Sequence, residues 1–209
     1  MLIGGFMPFS LSDYPGHPAA VVFTQGCNFR CPFCHNGDLL SPVRPQSQMV
    51  PEETVFELLK KRGGRLHGVV ITGGEPTLQD DLIPFMRNIH AHGLRVKLDT
   101  NGSRPQVVRD VLKEKLADYI AMDIKAPLAA YSRLAGVRAD AAVIEESIGL
   151  IASSGIPHEF RTTKVEPLLS EADCEGIEAL VPPGSRHRWQ TFRPENAMDI
   201  DLRRNGVSS

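Results

Sequence analysis

Six short apolar or β-branched runs, Ala19–Thr24, Gly68–Thr72, Arg95–Asp99, Tyr119–Met122, His158–Thr163 and Arg188–Phe192, recur between longer amphipathic stretches. Runs of this length that do not alternate strictly read as strands covered on both faces. Between them, Pro51–Arg62 opens with Pro51, Glu52 and Glu53, residues suited to a helix N-terminus. Asp80–His92 puts Leu82, Phe85, Met86 and Ile89 on one helical face, and Pro105–Lys115, Ala142–Ser153 and Glu171–Leu180 fit the helical period too. Strands alternating with helices predict an α/β fold, a parallel sheet with outer helices and right-handed crossovers. Periodicity leaves two architectures, an open doubly wound sheet and a partial (β/α)6 TIM-type barrel. The unusual residues favour the barrel: Gln25–Gly26–Cys27, Gly73–Gly74–Glu75–Pro76, Asp99–Thr100–Asn101, Asp123–Ile124–Lys125, Arg161 and Gln190 all fall at or just past a strand's C-terminal end. A polar ring on one rim is how barrel active sites are built.

A chain of 209 residues supports one sizeable core, so a single domain over 1–209 is expected. Residues 1–18 carry the turn signal Ser12–Asp13–Tyr14–Pro15–Gly16 and predict a short hairpin, while the polar, aperiodic 195–209 reads as a flexible tail. With 23 basic and 25 acidic side chains and a net charge of −2, there is no electrostatic footprint for nucleic acid. The apolar run Ala19–Phe23 is far shorter than the roughly 20 residues that span a bilayer, and no basic-then-apolar leader opens the chain. No membrane partner is expected, and the expected location is the cytoplasm.

Three of the four cysteines, Cys27, Cys31 and Cys34, form a C-x3-C-x2-C loop directly after the first predicted strand, and Cys174 stands apart. Clustering of this kind points to a metal site rather than a disulfide framework. Soft thiolates select zinc, copper(I) or iron–sulfur clusters, and three cysteines on a four-iron cluster leave one iron open. Zinc held by the three cysteines and His35 is the plainer alternative; it is disfavoured because side chains adjacent in sequence, Cys34 and His35, seldom both reach one tetrahedral ion. Cys174 reads as a small buried hydrophobe.

The loop Cys27–Asn28–Phe29–Arg30–Cys31–Pro32–Phe33–Cys34 resembles the signature of the radical S-adenosylmethionine superfamily, C-x3-C-x-aromatic-C, with Phe33 as the aromatic residue. The resemblance implies a 4Fe–4S cluster on Cys27, Cys31 and Cys34 whose open iron is chelated by S-adenosylmethionine. It also implies one-electron cleavage of that cofactor to methionine and a 5′-deoxyadenosyl radical. The protein would orient the cofactor and exclude water, with no catalytic side chain beyond cluster and cofactor. Gly73, Gly74 and Glu75, in Thr72–Gly73–Gly74–Glu75–Pro76, match the motif that meets the methionine amino group. By resemblance to glycyl-radical-enzyme activases, Asp99, Thr100 and Asp123 align with a monovalent-cation site beside the cofactor carboxylate, and Lys125 with a cofactor contact. Helix capping or a Lys125–carboxylate ion pair is the plainer reading of these residues. Arg161, Gln190 and Arg193 suit either a rim salt bridge or a cofactor or substrate contact.

Leu11–Gly16, Val22–Cys31, Cys34–Asn36, Val96–Gly102, Ala121–Pro127 and Glu159–Thr163 together resemble the short activases that serve anaerobic ribonucleoside-triphosphate reductase. This implies hydrogen abstraction from a glycine Cα of a glycyl radical enzyme, with an external one-electron donor such as flavodoxin or ferredoxin. A six-stranded barrel left open on one side would admit a protein loop. The longer activases carry an inserted cysteine-rich segment that this chain lacks. The alternative is a small-molecule radical enzyme of the 7-carboxy-7-deazaguanine synthase kind.

Overall fold

The computed structural model describes residues 1–166 and 168–205. Its centre is one seven-stranded sheet in sequential order: β1 (Ile3–Tyr14), β2 (His17–Thr24), β3 (Gly68–Gly73), β4 (Arg95–Thr100), β5 (Tyr119–Asp123), β6 (His158–Lys164) and β7 (Arg186–Thr191). Strands β2 to β7 pair in parallel, as the strand–helix alternation predicts. β1 and β7 are the two edges and do not pair with each other, so the barrel is partial and open-sided.

The sequence reading is corrected at both edges. The N-terminal hairpin is not a short lead-in: its first arm is a 12-residue strand antiparallel to β2, so the sheet has seven strands. Register shifts between Ile3 and Gly5, Met7 and Ser10, and Ser10 and Tyr14 disrupt its apolar alternation, which hid it from pattern reading. At the other edge β7 runs from Arg186 to Thr191, two residues earlier at its start than expected, with Gln190 at its C-terminal end as expected, whereas Arg161 lies mid-strand in β6 rather than at its end.

The helices α1 (Glu52–Lys61), α2 (Leu82–Ala91), α3 (Pro105–Lys113), α4 (Tyr131–Ala135), α5 (Ala141–Ala152), α6 (Glu171–Glu178) and α7 (Ile200–Asn205) connect the strands and close the chain. Glu52 and Glu53 in the first turn of α1 and Lys60 and Lys61 in its last complement the helix dipole. The Asp140 side chain accepts from Ala142 N to cap α5, and Ser170 with Asp173 forms a capping box on α6. One face of the sheet, with Val69, Ile71, Val96, Leu98, Ile120, Met122 and Phe160, belongs to the main core with Val55, Phe85, Val108 and Ile148 of the helices. Because side chains alternate along a strand, Val70, Lys97, Asp99, Ala121, Asp123, Glu159 and Arg161 share the opposite, concave face. That face is apolar near β1–β3, where Tyr14, Ala19, Val21 and Val70 cluster, and charged from β4 onward.

The stretch read as a loose tail is structured where it is described. Ala197 and Leu202 are buried in the main core, and Asp199 N donates to Pro32 O at 2.8 Å, which lays this segment against the cysteine loop. Its buried positions are too few and irregular to register as periodicity. Residues 206–209 lie outside the described residues. Among the described residues no helix is long and apolar enough to cross a membrane.

Candidate active site

The strands' C-terminal ends surround a cavity of about 420 Å³. Cys27, Cys31 and Cys34 line it, as do Phe33, Gly73, Gly74, Glu75, Asp99, Thr100, Asp123, Lys125 and Arg161. These residues, far apart in sequence, therefore line one cavity. Gln190 lines it too, with Asp13, Phe23 and Thr163, whereas Arg193 does not. Cys174 lies elsewhere, on α6 among Glu166, Glu171 and Glu175.

The cysteine loop is anchored by backbone bonds from Gly26 N to Leu39 O, 2.7 Å, and from Arg30 N to Ala135 O, 2.7 Å. Phe29 and Phe33, within the loop, are buried and line the same cavity. Burial pushes the Cys27 thiol up to about 12 and raises Cys31 as well, with Lys125 opposing the shift at Cys31. Both shifts favour the protonated thiol, so binding a metal there would release protons and supply the compensating positive charge. His35 is exposed and stacks on Phe192 at 5.8 Å between ring centroids. Among the described residues no group of three or more His, Cys, Asp or Glu side chains is arranged around a single metal ion. Three soft thiols on one loop at a cavity wall fit a multinuclear cluster better than one tetrahedral zinc.

β3 ends where its backbone meets that loop. Gly74 N donates to Thr24 O at 3.0 Å and Glu75 N to Gly26 O at 2.8 Å. A Cβ on Gly74 would overlap the Gly26 carbonyl, and one on Gly73, whose φ is +119°, would overlap the Thr24 backbone. These amide groups are taken up within the protein, and carbonyls are the backbone groups that can accept from an ammonium; the Gly73 carbonyl already accepts from Asn36 Nδ2 at 3.5 Å. Glu75 is 1% exposed. Its Oε1 accepts from Thr77 N at 3.1 Å, Thr77 Oγ1 at 2.6 Å and Thr100 Oγ1 at 2.7 Å, and its Oε2 from Asn101 N at 2.7 Å. Burial raises its pKa, while the Thr77, Asn101 and Thr100 hydrogen bonds oppose that. Glu75 thus stitches β3 to β4, a positioning role that spacing alone did not reveal.

The charged wall is a chain across three strands. Lys97 bonds Asp99 Oδ1; Arg161 donates Nη1 to Asp99 Oδ2 at 3.1 Å and Nε to Asp123 Oδ1 at 2.8 Å; Lys125 Nζ bonds Asp123 Oδ2 at 2.9 Å. The plainer reading of Lys125, an ion pair with a neighbouring carboxylate, is therefore realised. All four carboxylate oxygens are engaged by side-chain cations, one donor to each, which leaves each oxygen one further lone pair. Burial disfavours every charge here, but the mutual attraction outweighs it: Asp123 is held well below the usual carboxylate range, and Lys125 and Arg161 are raised. Of the three cations in this chain, Lys125 and Arg161 line the cavity, where they are the groups able to meet an anion; the carboxylates of Asp13 and Glu75 line it as well, so the wall as a whole carries no excess of positive charge.

A partial barrel, three thiols on the loop after its first parallel strand and a Gly–Gly strand end beside them define a class of cofactor-dependent radical enzyme. The chain belongs to the Radical SAM superfamily, whose family model matches residues 21–171; its enzymes use a 4Fe–4S cluster and S-adenosylmethionine. The chain is 34% identical over 208 residues to a protein of Methanocaldococcus jannaschii that bears the name of a glycyl-radical enzyme activating enzyme, covering 97% of this chain and 85% of that one. It is 37% identical over 119 residues to a 7-carboxy-7-deazaguanine synthase of Koribacter versatilis, covering 56% of this chain and 47% of the relative. Its fold is similar to that of Streptococcus suis SuiB bound to S-adenosylmethionine, with a TM-score of 0.64 at 16% identity, covering 87% of this chain but 44% of SuiB.

Proposed function

We propose that the chain is an activase that makes a glycyl radical on anaerobic ribonucleoside-triphosphate reductase, working in the cytoplasm with a flavodoxin or ferredoxin as electron donor. The observation that supports this most is its whole-length similarity to a protein that bears the name of a glycyl-radical enzyme activating enzyme. The unpaired edges β1 and β7 agree with it, because an open-sided barrel admits a protein loop. A set of reduced thiols suits a reducing compartment.

In this reading Cys27, Cys31 and Cys34 hold the cluster. When bound, the cluster and S-adenosylmethionine supply one-electron cleavage of a sulfonium C–S bond and so a hydrogen-abstracting radical. The chain's own residues orient and shield. Phe33 and Phe29, buried within the cysteine loop, keep water from it. The carbonyls at Gly73 and Gly74 accept from the cofactor ammonium, held in place by Glu75 through Thr100 and Asn101. Lys125 and Arg161, with Asp99 and Asp123 fixing them, attract the cofactor carboxylate. Phe23, Thr163 and Gln190 line the part of the cavity left for the substrate loop.

The test is anaerobic reconstitution with iron and sulfide, then reduction with S-adenosylmethionine and the candidate reductase. Formation of 5′-deoxyadenosine and a glycyl radical signal by electron paramagnetic resonance supports the reading; 5′-deoxyadenosine without that signal removes the partner. The partial similarity to a 7-carboxy-7-deazaguanine synthase favours a second reading, a small-molecule enzyme. Turnover of a pterin-like substrate without any protein partner would establish it.

A further inference from the structure

We propose that Asn101 is a positioning residue that eases reduction of a cluster carried on Cys27, by directing its side-chain amide N–H at the Cys27 sulfur. The proposal rests on the reading of Cys27 as a cluster ligand.

Asn101 follows β4 directly and is 6% exposed. Its Oδ1 accepts from Ser103 N at 3.0 Å. Only the oxygen can accept that bond, so the orientation of the amide is fixed and Nδ2 points the other way. There it lies 3.0 Å from Asn28 Oδ1 and 4.0 Å from Cys27 Sγ. Asn28 is fixed in turn, because its Nδ2 donates to Ser103 Oγ at 2.8 Å. The three side chains tie the cysteine loop to the turn after β4. Phe29 N donates to the same sulfur at 3.4 Å. Among the described residues no side-chain donor reaches the sulfur of Cys31 or Cys34 with a hydrogen bond, so Cys27 is the thiolate singled out.

Donors to a ligand sulfur stabilise the more negative, reduced state and raise the reduction potential. Burial strengthens this, because little water screens the dipole. The step concerned adds one electron from a low-potential one-electron donor; no proton is taken up and no bond is made or broken. A residue that merely pinned the loop would affect loading and stability but not the potential of a loaded cluster.

Potentiometry with dithionite as reductant, followed by electron paramagnetic resonance on the reconstituted full chain, separates the two. Asn101→Leu is close in shape and removes the donor without adding a charge. With the ambient potential at the wild-type midpoint, where half the wild-type clusters are reduced, about a quarter or fewer should be reduced in Asn101→Leu, roughly a threefold shift in the ratio. Asn101→Ala removes the same donor and should shift the midpoint in the same direction by less, because water can enter the space left. If Asn101→Leu does not load iron, Asn101→Ala decides. Full iron and sulfide with an unchanged midpoint in the variants that load overturns the proposal. A wild-type chain that takes up no iron and sulfide overturns instead the reading of the cysteines on which it rests.

Discussion

Arg161 donates from Nε to Asp123 Oδ1 at 2.8 Å, joining the middle of β6 to the end of β5 at the cavity wall. The same guanidinium reaches Asp99 on β4, so one side chain holds two carboxylates from two other strands. Its loss leaves both with a missing partner.

Arg161→Met is expected to destabilise the chain by about 3 kcal/mol, the lower end for breaking a buried ion pair, since Asp123 keeps some contact with solvent. S-adenosylmethionine binding should weaken roughly 10- to 100-fold, the loss of one charge-assisted hydrogen bond. Urea unfolding and equilibrium binding on the reconstituted protein measure the two; a variant as stable and as tightly binding as wild type speaks against the role given to this wall.

The depressed pKa of Asp123 has a definite sign in acid. Burial pushes its carboxyl up, but Arg161 and Lys125 outweigh that and hold it below the unfolded value. Its ion pairs therefore stabilise the fold above about pH 4, and this contribution is lost as pH falls toward the native pKa. Unfolding midpoints followed from about pH 6 down to about pH 3 should drop less steeply in Asp123→Asn than in wild type. Equal slopes would mean the pair does not drive the acid response.

Glu75→Gln places an NH2 group where every neighbour is a donor. One of Thr77 N, Thr77 Oγ1, Thr100 Oγ1 or Asn101 N must lose its acceptor in a buried site. The expected loss is about 1–3 kcal/mol, read from urea midpoints. An unaffected midpoint would show that the strand ends hold together without this carboxylate.

Gly74→Ala drives a methyl group into the Gly26 carbonyl, a backbone atom that cannot swing aside. The end of β3 should separate from the cysteine loop at a cost of about 1–3 kcal/mol, with weaker cofactor binding. Calorimetry and equilibrium binding test both; retention of both would place the Gly–Gly pair outside the site.

Cys31→Ala should abolish cluster assembly, whereas Cys174→Ala should leave iron and sulfide content nearly unchanged, since Cys174 lies on α6 away from the cavity. Iron and sulfide analysis after anaerobic reconstitution measures this directly. Loss of iron in Cys174→Ala would mean that the cluster is closed by protein alone and has no open iron.

Much of this was legible in the amino-acid order because it is local. The C-x3-C-x2-C loop, the Gly–Gly pair and the six parallel strands announce themselves through spacing and period, which depend on backbone geometry over a few residues. β1 was half legible: its turn at Pro15–Gly16 is a local signal, but its irregular register broke the alternation that would have marked a strand. What tertiary structure alone decided is where each polar atom finds its partner. The carboxylates of Asp99 and Asp123 face Arg161 from 62 and 38 residues away, Glu75 bonds residues on another strand, and Asn101 meets Cys27 across 74 residues. Such partners are fixed by which strands lie side by side and which face each side chain takes; a sequence lists the donors and acceptors, and only the folded sheet pairs them.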